Sequence, residues 1–192
     1  MDQRTRDERL LRFRKKQTRV LLVTDLAARG IDIPLLENVI HYDFPTKMKL
    51  FIHRSGRTAR AGQKGTSYSI ITNEEIGYMH DLSIFVGRKH FDRVEEPCDS
   101  EEASKVALDA LVEDPARICY GTLPQGLLDE YCMAVANVWE IKRESLEIMK
   151  KSIKNAMIKY NKTKDPASQN SISIMRALID QRPMKVHPSL AY

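Results

Sequence analysis

The chain has 192 residues, 42% of them hydrophobic, and a formal net charge of +5, which suits one domain and part of another with a real core. No apolar run approaches the ~18 residues of a membrane span, no signal-peptide pattern opens the chain, and the cysteines, odd in number and without C-x-x-C spacing, exclude a disulfide framework or a zinc site. Residues 1–64 hold 15 Lys/Arg against 7 Asp/Glu while the remainder holds 16 against 19, so a polyanion partner is expected for the first third.

Residues 2–17 predict an amphipathic charged helix with Leu10, Leu11 and Phe13 as its buried stripe. RVLLVT (19–24) is a short β-branched run of the kind found in a buried parallel strand. DLAARGIDIP follows as a turn with one helical loop, and NVIHYDF (38–44) predicts a second strand, ended by Pro45. A helix over about 47–60, a turn at AGQKG, a strand at TSYSIIT (66–72) and a helix from Glu74 and Glu75 to about Val86 come next.

Alternating strands and helices imply βαβ units and a parallel sheet. Residues 92–123, with the acidic stretch DRVEEPCDSEE, read as a connector holding a short helix near 103–112. From Pro124 an apolar stripe of Leu128, Tyr131, Val135, Val138, Leu146, Met149, Ile153 and Tyr160 predicts one long helix, with Lys142 interrupting the stripe. Packing of that helix on the preceding domain or on the final helix is the expected outcome; docking of a partner on its apolar face is the other. The polar break NKTKDPASQN precedes a last helix, SISIMRALIDQ.

The stretch HRSGRTARAG (53–62) breaks several local rules together. Lys47–Lys64 contains no Asp or Glu to offset its cations, lysines sit at the expected helix N-terminus, and Gly56 falls in mid-helix. On a continuous helix His53, Arg57 and Arg60 share one face, with Arg54 to one side. A solvated basic face is the commoner reading of a Lys/Arg cluster, but simultaneous local violations mark functional sites, and arginine forks suit phosphate oxygens.

TDLAARGID (24–32) leaves a strand at its C-terminal end, where open α/β sheets bind ligands. Thr24 offers a hydroxyl to phosphate, Gly30 allows close backbone approach, and Asp32 can accept from ribose hydroxyls; capping of turns by Asp25 and Asp32 is the plainer alternative. Gly62-Gln-Lys-Gly65 has GxxG spacing but leads into a strand, so a tight turn is expected and not an RNA-clamping loop.

TDLAARGID, then DFP, then HRSGRTARAG, in this order and spacing, resembles motifs V, Va and VI of DEAD-box RNA helicases, and Gln3-x-x-Arg6 resembles their RNA-contacting Q-x-x-R. The similarity covers about residues 1–90. It implies a truncated second RecA-like α/β lobe (1–91), a connector (92–123) and an α-helical C-terminal extension (124–192). Residue by residue, the resemblance makes Arg57 and Arg60 arginine fingers toward the γ-phosphate of ATP and gives Asp32, with Gly30, the ribose. It makes Arg6 and Thr24 RNA-backbone contacts, and His53 and Arg54 links between the lobes.

Ala59 stands where many members have Gly, and Ser55 where Ile or Val is common. ARAG, EEIGYMHDLSIFVGR and GTLPQGLLDEY are similar to the nucleolar branch that assists large-subunit ribosome assembly. This implies a nucleolar location, ribosomal RNA as target and pre-ribosomal proteins as partners for 124–160. No phosphate loop, D-E-A-D box or S-A-T is present. The resemblance therefore implies a separate first lobe holding ATP and Mg²⁺, with a non-catalytic RNA-binding or scaffold fragment as the alternative.

Overall fold

The structure is a computed structural model that describes residues 2–28, 36–59, 62–91, 106–107, 109–110, 112–181, 184–187 and 190. It is mixed α/β and divides into two units, Met1–Ile71 and Thr72–Tyr192.

In the first unit, α1 spans Gln3–Arg14, and Asp2 caps it by accepting the Thr5 N–H at 2.8 Å. The helix forms as expected, but its stripe is not buried: Leu10 and Phe13 are half-buried and Leu11 is exposed. The expected strand at 19–24 is absent. No described strand pairs with it, and Leu22 is 90% exposed. β-propensity does not make a strand where the backbone lacks a ladder to join. The chain then enters the short helix α2 (Asp25–Ala28).

β1 (Asn38–His41), α3 (Met48–Ser55) and β2 (Thr66–Ser69) form a βαβ unit, with β1 and β2 paired in parallel and His41 opposite Ser69. Both strands are shorter than the sequence pattern suggested. Around them Phe44, His41 and Thr58 are buried, and Phe51 of α3 stacks on the His41 ring at 4.6 Å.

The helix expected to run to residue 60 ends at Ser55, with Gly56 as its C-cap. Arg57 therefore lies in the following turn and not on a helical face with His53. An eight-residue helix with no capping side chain and no acid in its first turn has little stability of its own, so Gly56 suffices to stop it. Gly62-Gln-Lys-Gly65 is a turn into β2, with Gly62 at φ +76°.

In the second unit, α4 (Ile76–Val86) begins where Glu75 accepts from both the Thr72 N–H (3.0 Å) and the Thr72 hydroxyl (2.9 Å), and ends at Gly87. β3 (Lys89–Phe91) and β4 (Arg117–Cys119) form a second parallel pair; neither strand was expected, and β4 lies in the segment read as connector. The described residues between 106 and 113 are helical, close to the short helix expected there.

The single long helix expected from 124 breaks at Lys142 into α5 (Gln125–Ile141) and α6 (Arg143–Thr163). Neither has a buried residue. The expected burial of the stripe is thus overturned: Tyr131, Val135, Val138, Met149 and Ile153 are all exposed. The core instead comes from the last helix, α7 (Gln169–Gln181), which lies on α4. Met175, Met79, Leu82 and Tyr78 are buried there. A side chain on Gly77 would come within 2.7 Å of Ile172, so the close helix approach depends on that glycine. Asp81 ties the pair by accepting from the Ser168 N–H at 2.9 Å and the buried Ser171 hydroxyl at 2.6 Å.

Trp139 is half-buried with the Lys150 ammonium 5.2 Å from its ring centre and no core around it. Acrylamide should therefore quench the emission of this single tryptophan efficiently in dilute monomer, and more so in Lys150→Ala. Strong protection that persists on dilution would contradict the exposed arrangement.

Candidate functional site

The described part of the site is built from the turn entering α2, the end of α3 and the loop after it. Arg54, on the last turn of α3, reaches back to Asp25. Its Nε donates to Oδ1 and its Nη2 to Oδ2, both at 2.7 Å, while Nη1 donates to the Asp43 carbonyl at 2.9 Å. This is a fork-to-fork pair on half-buried side chains, the strong geometry for arginine and carboxylate. Arg54 thus has an acid partner, contrary to the expectation that no arginine of this stretch would. Asp25 lies 29 residues upstream, beyond the reach of any i,i+4 rule.

Arg57 is different. Its backbone is fixed, since the carbonyl accepts the Leu36 N–H at 3.4 Å and its own N–H donates to the Arg54 carbonyl at 3.2 Å. Next to it, Thr58 pairs with Leu36 in an isolated bridge and donates its hydroxyl to the Glu37 carbonyl at 3.3 Å. The Arg57 guanidinium, by contrast, has no hydrogen bond or ion pair among the described residues. The fork is therefore open to an external anion.

His53 is exposed on α3 and also makes no hydrogen bond among the described residues. Arg6 donates to the Gln3 side chain at 3.1 Å, so the two polar members of Q-x-x-R orient one another on the face of α1. Thr24 is exposed immediately before α2. Gly30, Asp32 and Arg60 lie outside the described residues.

Two features were missed from sequence. The first is a part-buried polar triangle: His41 Nε2 lies 2.9 Å from Ser67 Oγ and 3.2 Å from Ser55 Oγ, and the hydroxyls are 3.0 Å apart. The signal for it was the departure at Ser55, a polar residue in a position that favours apolar ones. Burial, followed by the nearby Arg54 charge, pushes His41 down from 6.5 to about 4, with Asp25 opposing in part. The second is Ala59, which sits in the left-handed region at φ +55°. There the incoming β2 backbone crosses it so closely that a side chain on Gly65 would come within 2.6 Å of the Ala59 nitrogen. Left-handed geometry gives a physical reason for glycine at position 59 in related sequences.

Residues 1–62 match the family described as Helicase conserved C-terminal domain, which defines the class: the C-terminal lobe of a helicase. The chain is similar to DEAD-box and other ATP-dependent RNA helicases. It is 41% identical over 193 residues to the ATP-dependent RNA helicase ddx54 of Dictyostelium discoideum, covering 100% of this chain and 16% of that protein. It is 37% identical to the ATP-dependent RNA helicase DBP10 of Candida albicans, over 94% of this chain and 20% of the relative. It is 36% identical to the ATP-dependent RNA helicase DDX54 of Mus musculus, over 98% and 20%. The chain thus spans about a fifth or less of the length of these relatives.

Two predictions arise from the missed features. A neutral His41 in the fold, against an ordinary histidine in the unfolded chain, leaves stability intact above pH 6.5 and lost as pH falls toward about 4, because only the unfolded chain gains the proton in that window. At about 1.4 kcal/mol per pKa unit the loss reaches roughly 3 kcal/mol. Urea melts at pH 7 and pH 4.5 should show it, and His41→Gln should abolish that component; an equal acid loss in the variant would contradict it. Ala59→Gly should stabilise the first unit by about 1 kcal/mol in the same melts, by removing the left-handed strain. Unchanged or lower stability would contradict the strained geometry.

Proposed function

We propose that this chain acts as part of the second lobe of an ATP-dependent RNA helicase, in which Arg57 and Arg60 are the arginine fingers toward the γ-phosphate. The observation that carries the reading is the contrast within HRSGR. Arg54 is fully engaged by Asp25 and the Asp43 carbonyl, whereas the Arg57 fork, on a fixed backbone, has no partner among the described residues.

In this mechanism the chain supplies charge stabilisation, not the nucleophile. As the transferring phosphoryl group spreads charge over its equatorial oxygens, a preorganised guanidinium lowers the barrier without reorganisation. Asp32 takes the ribose hydroxyls, with Gly30 giving room for the nucleotide. Arg6 and Thr24 take RNA phosphates, and the exposed His53 and the anchored Arg54 link the two ligands. Magnesium and the phosphate-loop lysine belong to a first lobe, since this sequence has no G-x-x-x-x-G-K-[ST]. The site works only when that lobe presents ATP to it.

Similarity to the ATP-dependent RNA helicases DBP10 and DDX54, with the basic first third, supports RNA as the substrate; the resemblance of ARAG, EEIGYMHDLSIFVGR and GTLPQGLLDEY to the nucleolar branch supports ribosomal RNA and the nucleolus. Pre-ribosomal proteins are the partners that the exposed apolar faces of α5 and α6 would meet there.

In the complete two-lobe protein, Arg57→Ala should cut RNA-stimulated ATP turnover by up to 10³–10⁵-fold, an upper guide taken from arginine fingers elsewhere. Arg57→Lys should rescue little, because the planar fork is lost. Asp32→Ala should chiefly raise the KM for ATP, since a ribose contact is made equally in ground and transition states. Near-normal turnover in Arg57→Ala at saturating ATP and RNA would overturn the finger assignment.

A further inference from the structure

We infer that His41 is a positioning residue for the arginine motif: through its hydrogen-bonded triangle with Ser55 and Ser67 it fixes the end of α3, and so the placement of the Arg54 and Arg57 forks. The inference rests on the reading of Arg57 as the nucleotide-facing arginine, and it names the group that sets that arginine's geometry.

The triangle joins three elements. His41 is the last residue of β1, Ser55 the last residue of α3, and Ser67 lies in β2. All three contacts are within hydrogen-bond distance, at 2.9, 3.2 and 3.0 Å. The ring is only 2% exposed and is clamped against Phe51, which belongs to the same helix as Ser55. Ser55 stands directly after Arg54 and two residues before Arg57.

The placement has a physical logic. α3 has only eight residues, no side-chain bond at its N-cap and no acid in its first turn. A helix this short has little stability of its own, so tertiary contacts must set its rotation and its end. Apolar packing resists separation but is not directional, whereas hydrogen bonds fix angle as well as distance. Burying the His41 ring between two half-buried serines is costly unless its polar atoms find partners; Nε2 finds both hydroxyls, while Nδ1 has none among the described residues. An apolar trio would fill the space more cheaply, so directional control is the gain that accounts for the polar one. A catalytic fork needs that control: displacement by about 1 Å can cost on the order of 10²-fold in rate.

The test uses the complete two-lobe protein, with RNA-stimulated ATP turnover read as separate kcat and KM. His41→Phe keeps the ring and its stacking but removes the polar nitrogen. It should lower kcat by about ten- to a hundred-fold with little change in the KM for ATP, because ground-state nucleotide binding is not what it positions. His41→Gln, whose side-chain amide reaches about as far as Nε2, should recover most of the loss. Should His41→Phe fail to fold, Ser55→Ala combined with Ser67→Ala removes the same bonds from the other side and should give the same kcat defect.

Arg57→Ala run alongside separates the two claims. If Arg57→Ala is slow but His41→Phe and the double serine variant turn over normally, the positioning role is wrong and the finger assignment stands. A second readout, on this chain alone, does not depend on catalysis. The Arg54 Nε–H resonance, shifted downfield by its bond to Asp25, should move in His41→Phe and return in His41→Gln. An unmoved resonance in His41→Phe would also overturn the proposal.

Discussion

The first unit depends on one interaction, the two-pronged pair between Arg54 and Asp25. It joins the start of α2 to the end of α3, and the third donor on the Asp43 carbonyl draws in the chain leaving β1. A permanently charged guanidinium at a half-buried position must be compensated, and a carboxylate with both oxygens engaged does so most completely. The pair therefore fixes the relation between the TDLAA turn and the arginine motif. Those are the two segments that a nucleotide-binding and RNA-binding surface has to hold in register. The polar triangle at His41 does similar work one turn further in.

This anchoring divides the labour among arginines that look alike in sequence. Arg54 holds the structure, and its charge is already used. Arg57 sits beyond the helix in a turn whose backbone is pinned to residues 36 and 54, with its head group unengaged among the described residues. On the proposed reading, the engaged Arg54 fixes the frame and the unengaged Arg57 meets the ligand. Ala59 is left-handed and Gly65 passes close to its nitrogen, so the described part of the motif is shaped by its backbone as well as by the arginines.

Legibility in the sequence followed the range of the forces involved. Elements set by local signals were read well. The helix near 2–17, the helix from about Glu75 to Val86, the turn at 62–65 and the parallel βαβ unit were all visible as patterns. Elements set by distant partners were not. RVLLVT has every local mark of a strand, yet no described strand pairs with it. KHF lacks those marks and is a strand because RIC lies beside it. The Asp25 partner of Arg54 and the Ser67 partner of His41 lie 29 and 26 residues away, outside any periodic rule. At Lys142 the sequence showed the interruption of the stripe but not that the helix would break there. The motif order, by contrast, identified the family directly, because it reflects chemistry that the ligand imposes.

The most direct measurement of the central claim is a structure of the complete two-lobe protein closed on RNA and a non-hydrolysable ATP analogue. The account predicts the Arg57 guanidinium within hydrogen-bonding distance of the γ-phosphate while Arg54 keeps its two bonds to Asp25. A closed complex in which Arg57 points to solvent, or in which Arg54 leaves Asp25 to take the phosphate, would contradict it.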